Sequence, residues 1–484
     1  MLPYISKRIT SIEPVFSFEE DSSVVVSGSL SNYLTKLKNS IDEVQIDWDV
    51  YKRYTNPYEC LHSQSFGQVS QPVCPIRPIS RSYFKMIEIC STFDIIHSMP
   101  DTMKSFHIAE GPGGFIEALS HLRKNPSDTY VGMTLMSDSP TVPGWRKSQT
   151  FLEKNPNVFI ETGADGTGDI TREPNLLHCA GKYGATIDLV TADGGFDFSG
   201  DFNHQENQVG LLLVSQLAMA TAVQKKGGTF IMKLFDVFTK LSLDIVYLLT
   251  LMYDKVSIVK PNTSRHANSE RYVVAQGFKS SDGRTDWTIQ FAPILERIPI
   301  AELSSQHQEE DTETRYRYAN ILSLVNDDVP RILLTKIEES NASIGQQQMD
   351  NISSTLTLIK NPRQDKMERM RISSIQRCVV WCQKHNLPYN RDVRHFNMFL
   401  SAKNKVSRAP RKKYSEQNGS IPRKPNEIGT VYGNANEDER EIFGCDLPVE
   451  LDVLYDVDHT DEQKRVKELC EEIVNSLVDD AYSQ

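Results

Sequence analysis

A lysine stands inside an otherwise apolar segment, "TFIMKLF" (229–235). The β-branched and aromatic residues of this segment predict a strand, and its apolar character predicts burial. A buried lysine is costly unless it is paired or has a chemical role, because its ammonium group loses its hydration. Lys233 is therefore a candidate for acid–base chemistry.

A glycine-rich turn lies upstream, in "IAEGPGGFIEAL" (108–119). Gly111, Gly113 and Gly114 follow a predicted strand and open a predicted helix, a layout that brings backbone amides close to a ligand. The spacing and the proline differ from the dinucleotide fingerprint. Glu110 suits a cationic or amine-bearing ligand better than pyrophosphate. A purely structural turn is the alternative.

Acidic residues occur in other loops that follow predicted strands. Asp169 lies among glycines in "TGADGTGDITR" (162–172). This segment is either an exposed turn or a loop in which the Asp169 carboxylate receives a ligand's amino group. Asp193 ends a strand in "TADGGFDFSGDFNHQEN" (191–207), where two glycines hold it open toward a substrate. Glu270 begins an apolar strand within "KPNTSRHANSERYVV".

Strands and helices alternate around these loops. The patterns predict strands over 105–110, 129–135, 157–163, 187–195, 229–235, 255–261 and 270–278, and helices over 80–93, 115–124, 207–228 and 242–253. The third helix would end in two lysines and a glycine cap. This alternation implies an α/β fold with a doubly wound, mostly parallel sheet, whose ligands bind at the carboxyl ends of the strands.

The chain of 484 residues is too long for one ordinary core. A change in pattern near residue 75 and a Pro-broken basic stretch near 400 suggest five regions. These are an N-terminal extension (1–74), the α/β domain (75–290), a helical region (291–400), a basic linker (401–430) and an acidic tail (431–484).

The net charge of −11 is unevenly distributed. Residues 401–430 hold eight Lys/Arg against two acids, and residues 431–484 hold sixteen acids against four bases. Without the acidic segment 431–484 the chain is nearly neutral, so the overall acidity does not exclude a nucleic-acid partner. The linker could bind RNA, act as a nuclear address or be solvated charge. Helical spacing over 461–480 predicts an amphipathic helix that docks on the chain itself or on a partner protein.

The sequence shows neither a signal peptide nor an apolar stretch of about 18 residues. We therefore expect an intracellular chain without a membrane contact, in the nucleus or cytoplasm, or in the cytoplasm or virion if it is viral. The eight cysteines form no CxxC pair, which favours free thiols over a disulfide framework or a metal site.

Several motifs carry a family resemblance. "SRSYFKMIEI", "AEGPGGF", "VTADGGF", "FIMKLFD" and "KPNTSRHANSERYVV" resemble the RrmJ/FtsJ-like RNA ribose 2′-O-methyltransferases. "GMTL", "DGTGDIT" and "HQENQ" resemble their cap-specific eukaryotic and viral branch, which converts cap 0 to cap 1 or cap 2. The resemblance covers roughly residues 75–285 and implies a Rossmann-like class I methyltransferase fold, with mostly helical N- and C-terminal extensions around it.

The resemblance implies that Lys85, Asp193, Lys233 and Glu270 form the family's catalytic tetrad, with S-adenosylmethionine as methyl donor. A ribose hydroxyl is a poor nucleophile and needs a positioned base. Lys85 and partial dehydration are expected to lower the pKa of Lys233 from ~10.4, so that Lys233 acts as the general base. Lys85 would orient the hydroxyl, and Glu270 would hold Lys85. Asp193 would position Lys233 and would itself lie near the sulfonium. Metal is not expected, because the sulfonium activates its own methyl group.

The same resemblance implies the cofactor pocket. Its expected residues are Glu110, Gly111, Pro112, Gly113, Gly114, Phe115 and Asp193, with Asp169 near the adenine. One position departs from relatives outside the cap branch, which carry an acid for the cofactor ribose directly after the second strand. This chain has Thr134 there, and whether Asp138 replaces the acid stays open.

On the RNA side, Glu206 and Asn207 would contact the guanine of the cap, or else cap the following helix. Arg81 and Arg265 would contact phosphates, or else be solvated surface charges. The aromatic residue that stacks on the cap is left open among Phe84, Trp145, Phe196 and Phe198.

We therefore predict an mRNA cap 2′-O-ribose methyltransferase with capped mRNA as substrate. A 2′-O-methyltransferase of ribosomal or transfer RNA is one alternative, which would show no preference for capped RNA. An inactive RNA-binding scaffold subunit is another, which the intact tetrad disfavours. The sequence leaves open which nucleotide is modified and whether the cap guanine must be N7-methylated.

Overall fold

The computed structural model describes residues 1–5, 11–17, 24–62, 72–137, 142–195, 205–279, 287–297 and 320–390. The chain divides into two units, Met1–Arg408 and Ala409–Gln484, and every described residue belongs to the first. The predicted basic linker over 401–430, the acidic tail over 431–484 and the tail's amphipathic helix lie outside the described residues.

Nine strands are present in the described part of the chain, two of them in a separate antiparallel pair of β1 (Val15–Ser17) with β9 (Asn320–Ser323). The main sheet contains β2 (Lys104–Ile108), β3 (Thr129–Met133), β4 (Val158–Glu161), β5 (Ile187–Ala192), β6 (Gln224–Leu234), β7 (Tyr253–Val259) and β8 (Arg271–Phe278). Its order is β4-β3-β2-β5-β6-β8-β7. All neighbours pair in parallel except β8, which is antiparallel to both β6 and β7. The predicted doubly wound, mostly parallel sheet is confirmed.

Helices flank the sheet and build both extensions. They are α1 (Gly28–Asp42), α2 (Gln45–Thr55), α3 (Ser82–Thr92), α4 (Gly114–Arg123), α5 (Gln149–Lys154), α6 (Glu173–Tyr183), α7 (Gln205–Gln208), α8 (Gly210–Val223), α9 (Lys240–Met252), α10 (Trp287–Arg297), α11 (Arg331–Lys360) and α12 (Gln364–Lys384). Two short 3₁₀ turns cover Glu59–Leu61 and Arg146–Ser148. The fold is thus the predicted Rossmann-like α/β fold with mostly helical extensions, although α10 crosses the predicted domain boundary at 290/291 without a break.

Burial explains the most apolar elements. All six residues of β5 are buried, as expected for a central strand that is covered on both faces. The helix α8 is apolar around its whole circumference and is also almost completely buried. It packs against α6, α9 and α10. Among the described helices, none is both long enough and apolar enough to cross a membrane.

One predicted element ends earlier than expected. The helix predicted over 207–228 stops at Val223, and Gln224 already pairs with Ile187 as the first residue of β6. The register then shifts between β5 and β6, and Gly227 adopts a φ of 81° within this irregular stretch. The lysines and glycines therefore belong to a distorted strand rather than to a helix cap, because pairing with β5 overrides the local helical pattern.

The topology brings separate loops to one edge of the sheet. Because β5 and β6 are parallel neighbours, their carboxyl ends lie side by side. Because β8 runs antiparallel to β6, its first residue, Arg271, pairs with Leu234 at the last position of β6. The segments that hold Asp193 and Glu270 therefore meet near the end of the strand that holds Lys233.

A buried ion pair lies directly behind this edge. Arg271 is 1% exposed, and its Nη2 donates to Asp236 Oδ1 at 3.1 Å. The other carboxylate oxygen of Asp236 accepts from Lys38 Nζ of α1 at 3.3 Å, and Arg271 Nη1 donates to Asn341 Oδ1 of α11 at 2.7 Å. Helices of both extensions are thereby tied to the strand ends.

Replacing Asp236 with Asn should destabilise the fold strongly. The substitution leaves the Arg271 guanidinium without its buried counter-charge, which lowers the free energy of unfolding by about 3–5 kcal/mol. Urea unfolding followed by circular dichroism measures the change. The matched control is Asp365→Asn, which removes an exposed carboxylate that also pairs with two arginines, Arg363 and Arg369. The control should leave the urea midpoint of unfolding unchanged. An equal loss of stability in both variants would contradict the explanation that burial makes the Asp236 ion pair important.

Candidate active site

The four residues of the predicted tetrad come together at the carboxyl edge of the sheet. Lys85 Nζ on α3 donates to Glu270 Oε2 at 2.8 Å. Lys233 Nζ donates to the backbone oxygen of Asp193 at 2.7 Å and lies 3.3 Å from Asp193 Oδ1. All four side chains are between 10 and 14% exposed, so each charge is largely removed from water and faces an opposite charge.

Tyr272 connects the two ion pairs, and the sequence pattern did not identify it as a site residue. Its hydroxyl donates to Asp193 Oδ1 at 2.7 Å and accepts from Lys85 Nζ at 3.4 Å. Burial first, and then the charges of Asp193 and Glu270, raise the pKa of this hydroxyl well above its ordinary value, which keeps it a neutral donor. Tyr272 follows Glu270 by two positions in an extended segment, and this period-2 spacing was the signal that could have placed both side chains on one face.

The carboxylate of Glu270 is held at both oxygens. Oε1 accepts from Ser264 Oγ at 2.6 Å, while Oε2 accepts from Lys85. Burial alone would raise the pKa of Glu270, but the charge and hydrogen bond of Lys85 outweigh burial and bring the pKa down to about 2. The main chain is fixed as well, because Lys260 Nζ donates to the Glu270 carbonyl at 2.9 Å and to the Asn268 carbonyl at 2.7 Å.

The glycine-rich turn closes tightly between β2 and α4. The Gly113 N–H donates to the Glu110 carbonyl at 2.7 Å, and the Phe115 N–H donates to Glu110 Oε1 at 2.6 Å. The Ser148 hydroxyl donates to the Pro112 carbonyl. Gly113 has a φ of 104°, a conformation that strongly favours glycine.

Two further glycines are required by close packing. A Cβ on Gly111 would lie 3.0 Å from the Thr134 side chain and 3.1 Å from the Gly144 carbonyl. A Cβ on Gly114 would lie 2.1 Å and 2.2 Å from the hydroxyls of Ser80 and Ser82, just ahead of and at the start of α3. Gly114 therefore lets α4 approach the start of α3, the helix that carries Lys85, and Gly111 lets the turn approach Thr134 and Gly144. The turn has this structural role whether or not a ligand also binds.

Glu110 supplies the feature that points to a ligand. Its side chain is buried, and Oε2 has no hydrogen-bond partner within the described residues. Burial, followed by the nearby charge of Asp193, raises the pKa of Glu110 well above its ordinary value. A buried acceptor without a donor fits an amine-bearing ligand that lies beside the turn. The free acceptor atom of Glu110 is therefore compatible with the amino group of S-adenosylmethionine as donor.

Comparison with known proteins identifies the domain. Residues 78–278 match the model of the FtsJ-like methyltransferases. This part of the chain is an FtsJ-like methyltransferase domain. It contains all four tetrad positions and the glycine turn.

The FtsJ-like domain also has curated relatives. Cap-specific mRNA (nucleoside-2′-O-)-methyltransferase 2 of Danio rerio is 28% identical over 56% of this chain and 36% of its own length. Cap-specific mRNA (nucleoside-2′-O-)-methyltransferase 1 of Mus musculus is 32% identical over 54% of this chain and 32% of its own length, and that of Homo sapiens is 33% identical over 46% and 27%. The chain thus spans about a third of the length of these relatives.

Among solved structures, one described as a Plasmodium falciparum ribosomal RNA methyltransferase covers 42% of this chain and 98% of its own. Its sequence identity is 19% and its TM-score is 0.30, values too low to support a conclusion.

Asp169 lies on the loop that follows β4 of the FtsJ-like domain. Its Oδ1 accepts from the backbone N–H of Thr171 at 2.9 Å and from the Thr171 hydroxyl at 2.7 Å. The loop packs on the segment after β3, where the Met136 N–H donates to the Thr167 carbonyl at 2.7 Å. The adenine contact of Asp169 stays a prediction, and Asp138 lies outside the described residues.

Glu206, which is predicted to contact the cap, has a carboxylate that is bound within the protein. Its carboxylate accepts from the backbone N–H groups of Phe238 at 2.9 Å and Thr239 at 2.8 Å, and from the Thr239 hydroxyl at 2.8 Å. Glu206 therefore holds the N-terminus of α9, not of the helix that follows it in sequence. Glu206 reaches α9 because the segment after β6 folds back onto α7 in the tertiary structure. Asn207 is partly exposed, and its cap contact stays a prediction.

The structure reduces the number of candidates for the aromatic residue that stacks on the cap. Phe84 is 1% exposed and packs edge-on against Trp381 with the ring centroids 5.8 Å apart, which excludes it as a stacking platform. Trp145 lies over the glycine turn, with a ring atom 3.2 Å from the position of a Cβ on Gly113. The other two candidates, Phe196 and Phe198, lie outside the described residues.

Arg81 and Arg265 are not isolated surface charges. Arg265 Nη2 donates to Glu59 Oε1 at 3.1 Å, and Arg81 Nη1 lies 3.5 Å from Glu59 Oε2. The two arginine side chains are 29% (Arg81) and 34% (Arg265) exposed. Glu59 was missed because it lies outside every motif. The phosphate contacts of the two arginines stay a prediction.

Gly114→Ala tests the close approach of α4 to α3. The new methyl group displaces the Ser80 and Ser82 hydroxyls and lies 3.1 Å from Tyr83 N, and we expect the free energy of unfolding to fall by about 1–3 kcal/mol in urea titrations. Gly181→Ala in α6 is the control, because its new Cβ meets no heavy atom within 4 Å. Alanine there should be neutral or stabilising by up to about 1 kcal/mol. Equal destabilisation by both substitutions would refute the packing explanation.

Proposed function

We propose that this chain methylates the ribose 2′-hydroxyl of a cap-proximal nucleotide in mRNA, converting cap 0 to cap 1. The observation that carries the proposal is the buried cluster of two lysines and two carboxylates at the carboxyl edge of the FtsJ-like domain. The curated relatives, which are named cap-specific mRNA 2′-O-methyltransferases, support capped RNA as the substrate.

The glycine turn and Glu110 would hold S-adenosylmethionine, which supplies an electrophilic methyl group when it is bound. Glu110 Oε2 would accept from the amino group of the cofactor, because it is a buried acceptor that has no donor of its own in the described part of the chain. Asp169 would receive the adenine amino group. Asp193 contacts Lys233 and its charge acts on Glu110, so it would link the cofactor side to the base.

Lys233 would be the general base. Its amine is fixed by the Asp193 carbonyl at 2.7 Å and by Asp193 Oδ1 at 3.3 Å, which restricts it to one position beside the substrate. In its neutral form the amine would accept the proton of the 2′-hydroxyl, and the bound cofactor would supply the methyl group, with its sulfonium sulfur leaving as a neutral thioether. Such a positioned base typically contributes about 10²–10⁴-fold to the rate.

Lys85 would orient the ribose. The ionised carboxylate of Glu270 and the Tyr272 hydroxyl fix its ammonium group, so its remaining N–H would keep a constant direction toward the hydroxyl of the ribose. Tyr272 links this pair to Asp193 and thereby keeps the two lysines in a fixed relative position. Orientation of this kind lowers the entropy that must be lost on reaching the transition state.

Lys233→Met should abolish methyl transfer while cofactor binding stays nearly intact. Methionine keeps the volume but cannot accept a proton, so turnover on capped RNA should fall at least ~100-fold. Transfer of a labelled methyl group measures turnover, and isothermal titration measures cofactor affinity. Lys226→Met is the control, since Lys226 is an exposed lysine on the same strand. Full activity of Lys233→Met would rule out its role as base.

The same assay tests the substrate. Wild-type protein is incubated with RNA that carries an N7-methylated cap, an unmethylated cap or no cap. We expect methylation of capped RNA only. Equal methylation of uncapped RNA would overturn the cap assignment and favour a ribosomal or transfer RNA substrate.

Tyr272→Phe should lower turnover without weakening RNA binding. It removes the hydrogen bonds of the hydroxyl with Asp193 and Lys85, and a hydrogen bond to a charged group is worth about 1.5–3 kcal/mol, while the ring still packs near Phe115. We expect kcat to fall about tenfold or more and KM for RNA to stay within about twofold. A change confined to KM would mean that Tyr272 does not align the lysines.

A further inference from the structure

A buried carboxylate organises two arginines beside the active site. Glu59 is 2% exposed and lies in the 3₁₀ turn ahead of the FtsJ-like domain. Its Oε2 accepts from Asn56 Nδ2 at 2.6 Å. Arg265 donates Nη2 to Oε1 at 3.1 Å and Nε to Oε2 at 3.3 Å, while Arg81 Nη1 lies 3.5 Å from Oε2. The carboxylate is therefore shared by two guanidinium groups.

The cluster carries a surplus of positive charge. Burial would raise the pKa of Glu59, but Arg81 and Arg265 hold it far below its ordinary range, so the carboxylate is ionised. One negative charge faces two positive ones, and the more distant charges of Glu270 and Arg53 act on Arg81 in opposite directions. About a third of each paired arginine side chain is exposed, which leaves this surplus accessible to an anion.

The position of the cluster connects it to the reacting centre. Arg81 precedes Lys85 by one helical turn and therefore lies on the same face of α3. Its Nη2 donates to the Thr263 carbonyl at 3.4 Å. Arg265 follows Ser264, whose hydroxyl holds Glu270. The two arginines thus flank the Lys85–Glu270 pair from two different segments of the chain.

We propose that Glu59 is a positioning residue that holds Arg81 and Arg265 as one phosphate-binding unit for the RNA substrate. Planar guanidinium groups bind phosphate oxygens through paired N–H donors, and this requires a fixed orientation. Without the carboxylate, two neighbouring guanidinium groups repel each other and lose that orientation. The ligand is a phosphate group, either of the phosphodiester chain or of the 5′–5′ triphosphate. This inference rests on the proposed function and extends the substrate site beyond residues 78–278.

The test compares Glu59→Gln, Arg265→Gln and the double variant in the full chain. Each single substitution should raise KM for capped RNA about tenfold, as expected when a charge-assisted hydrogen bond to phosphate is removed, and leave cofactor affinity unchanged. The double variant should be no worse than the more impaired single variant, because Glu59 acts through the arginines. The salt dependence of RNA binding should become shallower by about 0.7 in log–log slope for each phosphate group that the variant no longer binds.

The matched control is Asp365→Asn, which removes an exposed carboxylate that bridges two arginines at the start of α12. It should leave KM and the salt slope unchanged. If Glu59→Gln does not fold, Glu59→Asp takes its place, because it keeps the charge and shortens the side chain by one methylene. Glu59→Asp should still raise KM and flatten the salt slope.

Inhibition by a capped dinucleotide separates the two phosphate sources. If the capped dinucleotide inhibits the variants more weakly than the wild type, the arginine unit binds the triphosphate. If its inhibition is unchanged while KM for longer RNA is raised, the unit binds a phosphate of the phosphodiester chain. Unchanged KM in both single variants, or additive effects in the double variant, would overturn the inference. A wild-type protein that does not methylate capped RNA would instead overturn the proposed function.

Discussion

Buried charge must be paired, and the arrangement of this molecule follows from that requirement. Two amines and two carboxylates lie at one sheet edge, each 10–14% exposed. An isolated lysine in such surroundings would be strongly destabilising. Lys233 is tolerated because Asp193 faces it, and Lys85 is tolerated because Glu270 faces it. The same pairing that permits burial also fixes the direction of each amine, which is the condition for acting on a ribose hydroxyl.

Further charges support this cluster from behind. The Asp236–Arg271 pair follows the ends of β6 and β8, the strands that carry or adjoin Lys233 and Glu270. It recruits Lys38 from α1 and Asn341 from α11. The helical extensions are therefore part of the scaffold that holds the FtsJ-like domain's site, and a change in them acts on the strand ends.

The local sequence pattern was a good guide where periodicity and burial agree. The strands of the main sheet and the helices α3, α4 and α9 lie close to their predicted ranges, since apolar runs between turn residues have few alternatives. The pattern failed at residues 224–228, where helical propensity and a glycine suggested a cap. Pairing of Gln224 with Ile187 determined the structure there, and no local signal encodes such a pairing.

Residue types were enough to identify a lysine that needs a partner and a glycine turn that allows close approach, and the order of the motifs carried the family resemblance that implied the four residues of the tetrad. The first two are local properties, because a buried lysine is costly and a left-handed backbone favours glycine wherever they occur. The tertiary structure alone revealed that Tyr272 bridges the ion pairs, that Glu206 caps α9 and that Glu59 pairs with Arg265. These contacts join residues 79, 33 and 206 positions apart. Only folding selects such partners, because many equally suitable carboxylates and donors occur along the chain.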